Sequence, residues 1–242
     1  MKLFSNLLIF FCFLIIFNDL NGQFGLRLKY NDQSLSNWDN NLGEYTQNNS
    51  KIFNTGYEVG LDYWFKLKKR RIEFMPEISY NTSRTTFINS TGIDHINLSG
   101  INFNFHSQIY ALDMEGDCDC PTFSKQGASI NKGLFFHFTP GLGYHTTSTK
   151  LSENSNIFGD EVKQIVFRAG LGIGLDIGLS DLLTITPILS YYFHSNMQWD
   201  NMPIPGRPQP GQINNQSDNL KQLQFTLRLG FRPDYGRRGR RR

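Results

Sequence analysis

From Ile165 to Leu179 every second residue is apolar: Ile165, Phe167, Ala169, Leu171, Ile173, Leu175, Ile177 and Leu179. Between them stand Val166, Arg168, Gly170, Gly172, Gly174, Asp176 and Gly178. Leu223, Phe225, Leu227, Leu229 and Phe231 repeat the pattern against Gln222, Gln224, Thr226, Arg228 and Gly230. Successive side chains on a strand point to opposite faces, so a period of two over such lengths predicts ribbons with one apolar and one polar face. Six further segments carry the same period, at 24–30, 57–67, 72–80, 101–111, 134–144 and 183–193. Their polar faces hold Arg27, Lys29, Glu58, Asp62, Arg71, Glu73, Glu77, Asn102, Asn104, His106, His137, Thr184, Thr186 and His194. The phase breaks at Ser99-Gly100, which reads as a bulge. Pro76, Pro140 and Pro187 fall on apolar faces; each removes a ladder hydrogen bond, so a bend or bulge is expected at each.

Eight strands are an even number, as a single-chain bacterial barrel requires. The connections alternate in length. Lys68-Lys69-Arg70 and Ser180-Asp181 are tight, whereas 31–54, 82–95, 146–163 and 197–219 are long and rich in Asn, Ser, Thr and Gly. The long segment 113–131 is the exception, since parity puts it at the short-turn end. A soluble lipocalin-like barrel has the same period with its apolar face inward. Three features favour the opposite sense: large charges of both signs on the polar face, aromatics (Tyr30, Tyr57, Phe65, Tyr80, Tyr144, Phe193, Phe231) at the ends of the apolar face, and the loop asymmetry. The expected fold is all-β, an eight-stranded antiparallel up-and-down transmembrane β-barrel.

Composition alters this picture little. The mean hydropathy of −0.39 is that of a water-soluble chain, yet barrel strands show lipid only half their residues. No apolar run approaches the roughly 20 residues of a spanning helix. Lys2 precedes an apolar stretch over 7–17 and a plausible cleavage point before Gln23, which predicts a signal peptide over 1–22. The barrel is expected over 23–233 and an Arg-rich periplasmic tail over 234–242. Much of the net charge of +3 lies in that tail, so no nucleic-acid partner is implied. The expected address is the outer membrane of a Gram-negative cell, with short turns and tail in the periplasm and with Trp38, Asn89 and Trp199 on the cell surface.

The start Gln23-Phe24-Gly25-Leu26-Arg27-Leu28, the segment Gly60-Leu61-Asp62-Tyr63-Trp64-Phe65 through Pro76-Glu77-Ile78-Ser79-Tyr80, and the glycine-rich 169–178 resemble the Bacteroidetes-type outer-membrane barrels labelled PorT-like. The resemblance covers the mature chain and implies an eight-stranded outer-membrane barrel. It implies no single activity, since members range from structural barrels to a secretion-system component. In a departure from many outer-membrane barrels, Phe231 is followed by eleven residues ending in arginines.

Candidate chemistry is thin. Cys118 and Cys120 supply half a zinc shell with no histidine near, and a strained local disulfide is the preferred fate in an oxidising compartment. His194-Ser195 has some likeness to outer-membrane lipid A deacylases, whose catalytic His and Ser are one residue apart. Here the two are adjacent and face opposite sides of a strand, as do His106 and Ser107. No catalytic, cofactor-binding or metal-binding residue is assigned, and no cofactor. The inward charges are expected to fill the lumen as salt bridges rather than to line a channel. Trp199 with Pro203, Pro205, Pro208 and Pro210, and Trp38 in the first long loop, are candidate recognition elements. The expectation is a non-enzymatic, monomeric barrel, structural or interaction-bearing, in contact with outer-membrane lipid and with envelope proteins as candidate partners. A lipid-modifying enzyme, a small-solute pore and a surface adhesin are the alternatives.

Overall fold

A computed structural model describes residues 23–46, 51–67, 70–88, 93–112, 133–151, 161–180, 182–199, 202 and 216–231. The strands are β1 (Gln23–Ser34), β2 (Thr55–Lys66), β3 (Ile72–Thr86), β4 (Ile93–Ile109), β5 (Leu134–Leu151), β6 (Glu161–Leu175), β7 (Leu183–Trp199) and β8 (Gln216–Phe231). The pair Ile177–Gly178 continues β6 beyond Asp176 and keeps its register on β7, so it is the same strand interrupted by one residue. Neighbours in sequence pair antiparallel, β1 also pairs β8, and the sheet closes into an eight-stranded barrel. Closure leaves no open edge. The expected signal peptide, the Cys118–Cys120 turn, Asn89 and the arginine tail lie outside the described residues.

The two faces are as the alternation predicts. Leu61, Ile165 and Leu171 are exposed by 68%, 74% and 66%, while Arg27, Arg168 and Arg228 are 0–1% exposed. An apolar belt outside and charges inside is the reverse of a water-soluble barrel. Such a belt is stable where hydrocarbon, not water, surrounds it, and the closed ladder satisfies the backbone there. Among the described residues no helix is long and apolar enough to cross a membrane; the strands do the spanning.

At the prolines the ladder opens on one side and no bulge forms. β2–β3 pairing stops after Asp62↔Glu77 and resumes at Phe65↔Phe74, leaving Pro76 across the gap. β4–β5 skips from Asn104↔Gly141 to Ser107↔Phe138 around Pro140. β6–β7 opens between Gly174↔Ile188 and Ile177↔Ile185, opposite Pro187. No bulge forms at any of them, since the register is the same on both sides of each gap. A residue in an antiparallel ladder directs its N–H and C=O to one neighbour, so proline opens the ladder on one side only. Each keeps its partner on the other side: Phe105, Ala169 and Leu227 respectively.

The bulge expected at Ser99-Gly100 is absent. β4 keeps one phase from Ile96 to Gln108, with Ile96, Leu98, Gly100, Asn102, Asn104, His106 and Gln108 all inward. The inward residues change from apolar to polar there, and that change looks like a phase slip in the sequence. The real irregularities are between Ile93 and His95 and between His194 and Met197. At the second, Asn196 adopts φ 51°, a left-handed conformation that asparagine tolerates. Its N–H donates to Asn219 Oδ1 at 3.0 Å.

Strands also run further into the predicted long loops than their periodicity shows. β1 reaches Ser34 and then turns into a short helix, α1 (Ser36–Leu42), followed by a 3₁₀ turn at Gly43–Tyr45. Leu35 makes no side-chain cap to α1. The Asp218 carboxylate does so from β8, accepting the N–H groups of Asn37 (2.6 Å) and Trp38 (3.2 Å). A carboxylate at that end also suits the helix dipole.

Candidate functional site

Inward side chains form two stacked compartments. The larger is an ion-pair network at the level of the apolar belt. Five cations (Arg27, Lys29, Arg71, Arg168, Arg228) face five carboxylates (Glu58, Asp62, Glu73, Glu77, Asp176), all of them buried. Asp62 accepts Arg27 Nε at 2.6 Å and is gripped by Arg228 through Nε at 2.8 Å and Nη2 at 2.7 Å. Lys29 Nζ bridges Glu58 at 2.7 Å and Glu77 at 2.6 Å. Arg168 Nη1 reaches Glu58 at 3.4 Å and stacks its guanidinium 4.6 Å from the Tyr192 ring centroid. Towards the short-turn end, Glu73 accepts Trp64 Nε1 at 2.6 Å and the Tyr110 hydroxyl at 3.0 Å. Tyr110 and Thr186 both donate to Asp176, and the Arg71 guanidinium lies 4.4 Å from the Tyr110 ring centroid. Charges taken this far from water persist where they meet opposite charges and hydrogen-bond donors, as Asp62, Glu58 and Lys29 do.

Glycine makes the packing possible at two places. A Cβ on Gly25 would fall 2.5 Å from Asp62 Oδ1 and 2.6 Å from Arg228 Nε. A Cβ on Gly170 would meet the Tyr192 ring, 2.6 Å from Cδ1 and 2.7 Å from Cζ. The inward glycines of β6 therefore leave space for bulk from both neighbours, Tyr192 of β7 at Gly170 and Phe135 of β5 at Gly174.

One hydrogen-bonded chain was not foreseen from the sequence. Glu77 binds His106 Nε2, His106 Nδ1 lies 2.8 Å from His137 Nε2, and His137 Nδ1 lies 3.1 Å from Ser190 Oγ. Carboxylate, imidazoles and hydroxyl come from β3, β4, β5 and β7, so only the register between strands unites them. The order resembles a nucleophile relay, but every member is buried inside the lumen. The imidazoles are stacked, 4.9 Å between centroids with an 18° interplanar angle. The four side chains link β3, β4, β5 and β7 across the inside of the wall. The adjacent pairs behave as strand geometry requires: His194 points inward and is buried, whereas Ser195 lies on the other face, 3.4 Å from the Phe167 carbonyl. Among the described residues no group of three or more His, Cys, Asp or Glu is placed to hold a metal ion.

The second compartment caps the lumen at the long-loop end and is apolar. Trp38 and Leu42 of α1 pack with Leu35, Ile52, Phe53, Phe87, Ile96, Leu98, Val166, Met197, Trp199 and Leu220. Trp38 and Trp199 are both 0% exposed, edge to face at 5.0 Å. This corrects their reading as exposed recognition aromatics: they hold the cap together. Asp39 pins the segment by accepting the N–H groups of Ile52 (2.7 Å) and Leu35 (3.2 Å). Partial burial raises its carboxyl above the usual aspartate range, against those hydrogen bonds.

No family model and no curated relative matches the sequence. Among solved structures, the chain is similar to Neisserial surface protein A (9% identity, 86% of this chain and 96% of that one, TM-score 0.41). It is also similar to Ail, the attachment invasion locus protein of Yersinia pestis (11%, 88% and 99%, TM-score 0.42). A third is the outer membrane protein OprG of Pseudomonas aeruginosa (11%, 87% and 95%, TM-score 0.41). Likeness at this level carries no argument of its own, and the fold stands on the chain's own strand pairing.

Proposed function

We propose that the chain is a non-enzymatic β-barrel of a Gram-negative outer membrane that acts as a structural or interaction-bearing component of an envelope or secretion assembly. The observation that carries this reading is the closed lumen: paired charges fill it at membrane level and an apolar cap covers it at the long-loop end. A lumen of this kind neither conducts solutes nor admits a substrate to its histidines. The membrane-facing belt needs a bilayer, and among bilayers the outer membrane is where strand-built barrels of this size reside. If the predicted signal peptide delivers Gln23 to the periplasm, an even strand count puts the short turns and the arginine tail there, and the cap outside. The PorT-like resemblance is the finer form of the same proposal, and a monomer in contact with outer-membrane lipid is its assembly state. What remains for the barrel to work with is its capped end: loops on a rigid scaffold are the usual seat of recognition.

Purified protein in planar bilayers should give no steady conductance; stepwise channels would overturn the closed lumen. Lipid A from cells with and without the protein should have one mass spectrum; a mass change dependent on His106 or His194 would restore the enzyme reading. Crosslinking in intact envelopes should recover a discrete envelope protein bound through the loop end.

A further inference from the structure

Between the ion-pair network and the apolar cap lies a polar layer whose hydrogen bonds do not close on themselves. Arg168 uses only Nη1, at 3.4 Å, on a Glu58 oxygen that Lys29 already holds at 2.7 Å. Its Nε and Nη2 meet no protein acceptor, although the side chain is 1% exposed. Around it the Tyr192 hydroxyl, His145 Nδ1 and Gln222 Nε2 are likewise buried without a protein partner. These residues are neighbours. Arg168 stacks on Tyr192, Tyr192 is the register partner of Gln222, His194 is that of Arg168, and the rings of His145 and His194 are 5.7 Å apart, edge to face.

The unmatched atoms around Arg168 are mostly donors. The guanidinium and amide nitrogens only donate and the Tyr192 hydroxyl is able to, while the neutral His145 ring, whose Nε2 donates to Asn102 Oδ1 at 3.1 Å, adds one acceptor at Nδ1. Buried donors without acceptors are costly, and native structures match nearly all of them with protein, water or an ion. Water meets the donors but leaves the guanidinium charge only partly compensated. An anion does both, and a charge-assisted bond from a guanidinium is the strong kind. We infer that this layer is a binding site for one small inorganic anion, of the halide or monovalent oxyanion class, held by Arg168 Nε and Nη2 with the Tyr192 hydroxyl and Gln222 amide closing round it. The cap above makes it a slowly exchanging, internal site that braces β6, β7 and β8 against each other.

Bromide is the probe. The barrel is refolded in detergent micelles with gluconate as the sole anion, then titrated with sodium bromide at constant ionic strength while thermal unfolding is followed. A ligand that binds only the folded barrel stabilises it by mass action. The expected result is a saturable rise of several degrees, with an anomalous diffraction peak beside Arg168 in bromide-grown crystals. Tyr192→Phe should weaken the apparent affinity about tenfold, the scale of one hydrogen bond to a charge. Arg168→Gln should abolish both shift and peak. Should Arg168→Gln fail to fold, the wild-type titration, the anomalous peak and Tyr192→Phe still decide. A shift that is absent or rises without saturation, together with no peak at Arg168, overturns the site and leaves water as the occupant.

Discussion

The lumen and its cap share inward-facing positions of β4, β6, β7 and β8, to which the cap adds α1 and the connecting residues Ile52, Phe53 and Phe87, yet one is charged and the other apolar. On β4 a single phase passes from Ile96 and Leu98 in the cap to Asn102, Asn104 and His106 in the lumen. At belt height the outside is lipid, so polar residues have only the interior in which to meet partners. Above the belt the outside is water, and apolar residues turn inward as in a soluble core. The outward face changes with it: Ile101 and Phe103 are exposed, whereas the outward positions towards the loop end are Ser99 and Asn97. β4 thus crosses from inside-out to ordinary packing without a change of phase from Ile96 to Gln108, and the surroundings decide which residues are buried.

Breaking the lumen should cost most. Asp62→Asn keeps the volume but leaves Arg27 and Arg228 buried against a neutral group. Loss of one partner of a buried pair is worth about 3–5 kcal/mol, and reversible denaturant unfolding in lipid or detergent measures it. The apolar counterpart is Trp199→Ala, for which removing a buried indole costs about 3–5 kcal/mol within the cap. Here the loss should be local: Trp38 fluorescence shifts red and protease cuts the loop end, while heat-modifiable migration of the barrel persists. A variant that unfolds the barrel as completely as Asp62→Asn would show that cap and lumen are one cooperative unit.

The outer face provides a sharper contrast between neighbours. Ile173 is 52% exposed on the apolar belt, so Ile173→Lys should cost about 2–4 kcal/mol at mid-bilayer. Gly172 points inward against Ser190, and Gly172→Lys should act by crowding, with a cost that does not depend on bilayer thickness. Equal and negligible effects at both would mean that the faces are misassigned.

The smallest effect is a pH response confined to the cap. The Asp39 carboxyl is raised in the folded protein by burial. A folded value above the unfolded one means that the folded state binds the proton more tightly, so this group's penalty is present above its folded pKa and gone below the ordinary aspartate value. Lowering the pH through the aspartate range should therefore leave the cap slightly more protected in hydrogen exchange at Leu35 and Ile52, not less. Asp39→Ala should remove the response.

Nearly all of the barrel wall was legible in the sequence, because lipid outside and charge inside give alternation its maximum contrast. Strand number, faces and the filled lumen follow from that. The cap was not legible. Trp38, Leu42, Ile52, Phe53 and Phe87 lie in segments with no period of two, and only tertiary packing collects them. Ile96 and Leu98 were readable as strand, but their inward apolar side chains cancel the polarity contrast, which is why a bulge was expected at Ser99-Gly100. The ion-pair partners and the Glu77–His106–His137–Ser190 chain depend on the register between strands, which alternation along one strand does not encode. Proline positions were legible, and the lost ladder bond with them, but at these three sites the ladder opens on one side with its register unchanged, without a bulge.

The central claim is that the apolar face is the outer one and meets lipid. Nitroxide labels at Leu61, Ile101 and Leu171, one per variant in a chain with its cysteines replaced, test it directly in lipid vesicles. Collision rates are measured with oxygen, which concentrates in hydrocarbon, and with a water-soluble nickel chelate. All three sites should relax strongly with oxygen and hardly at all with nickel, and the contrast should be greatest at the site deepest in the bilayer. Strong nickel collisions at these positions, from water outside the barrel, would contradict the account.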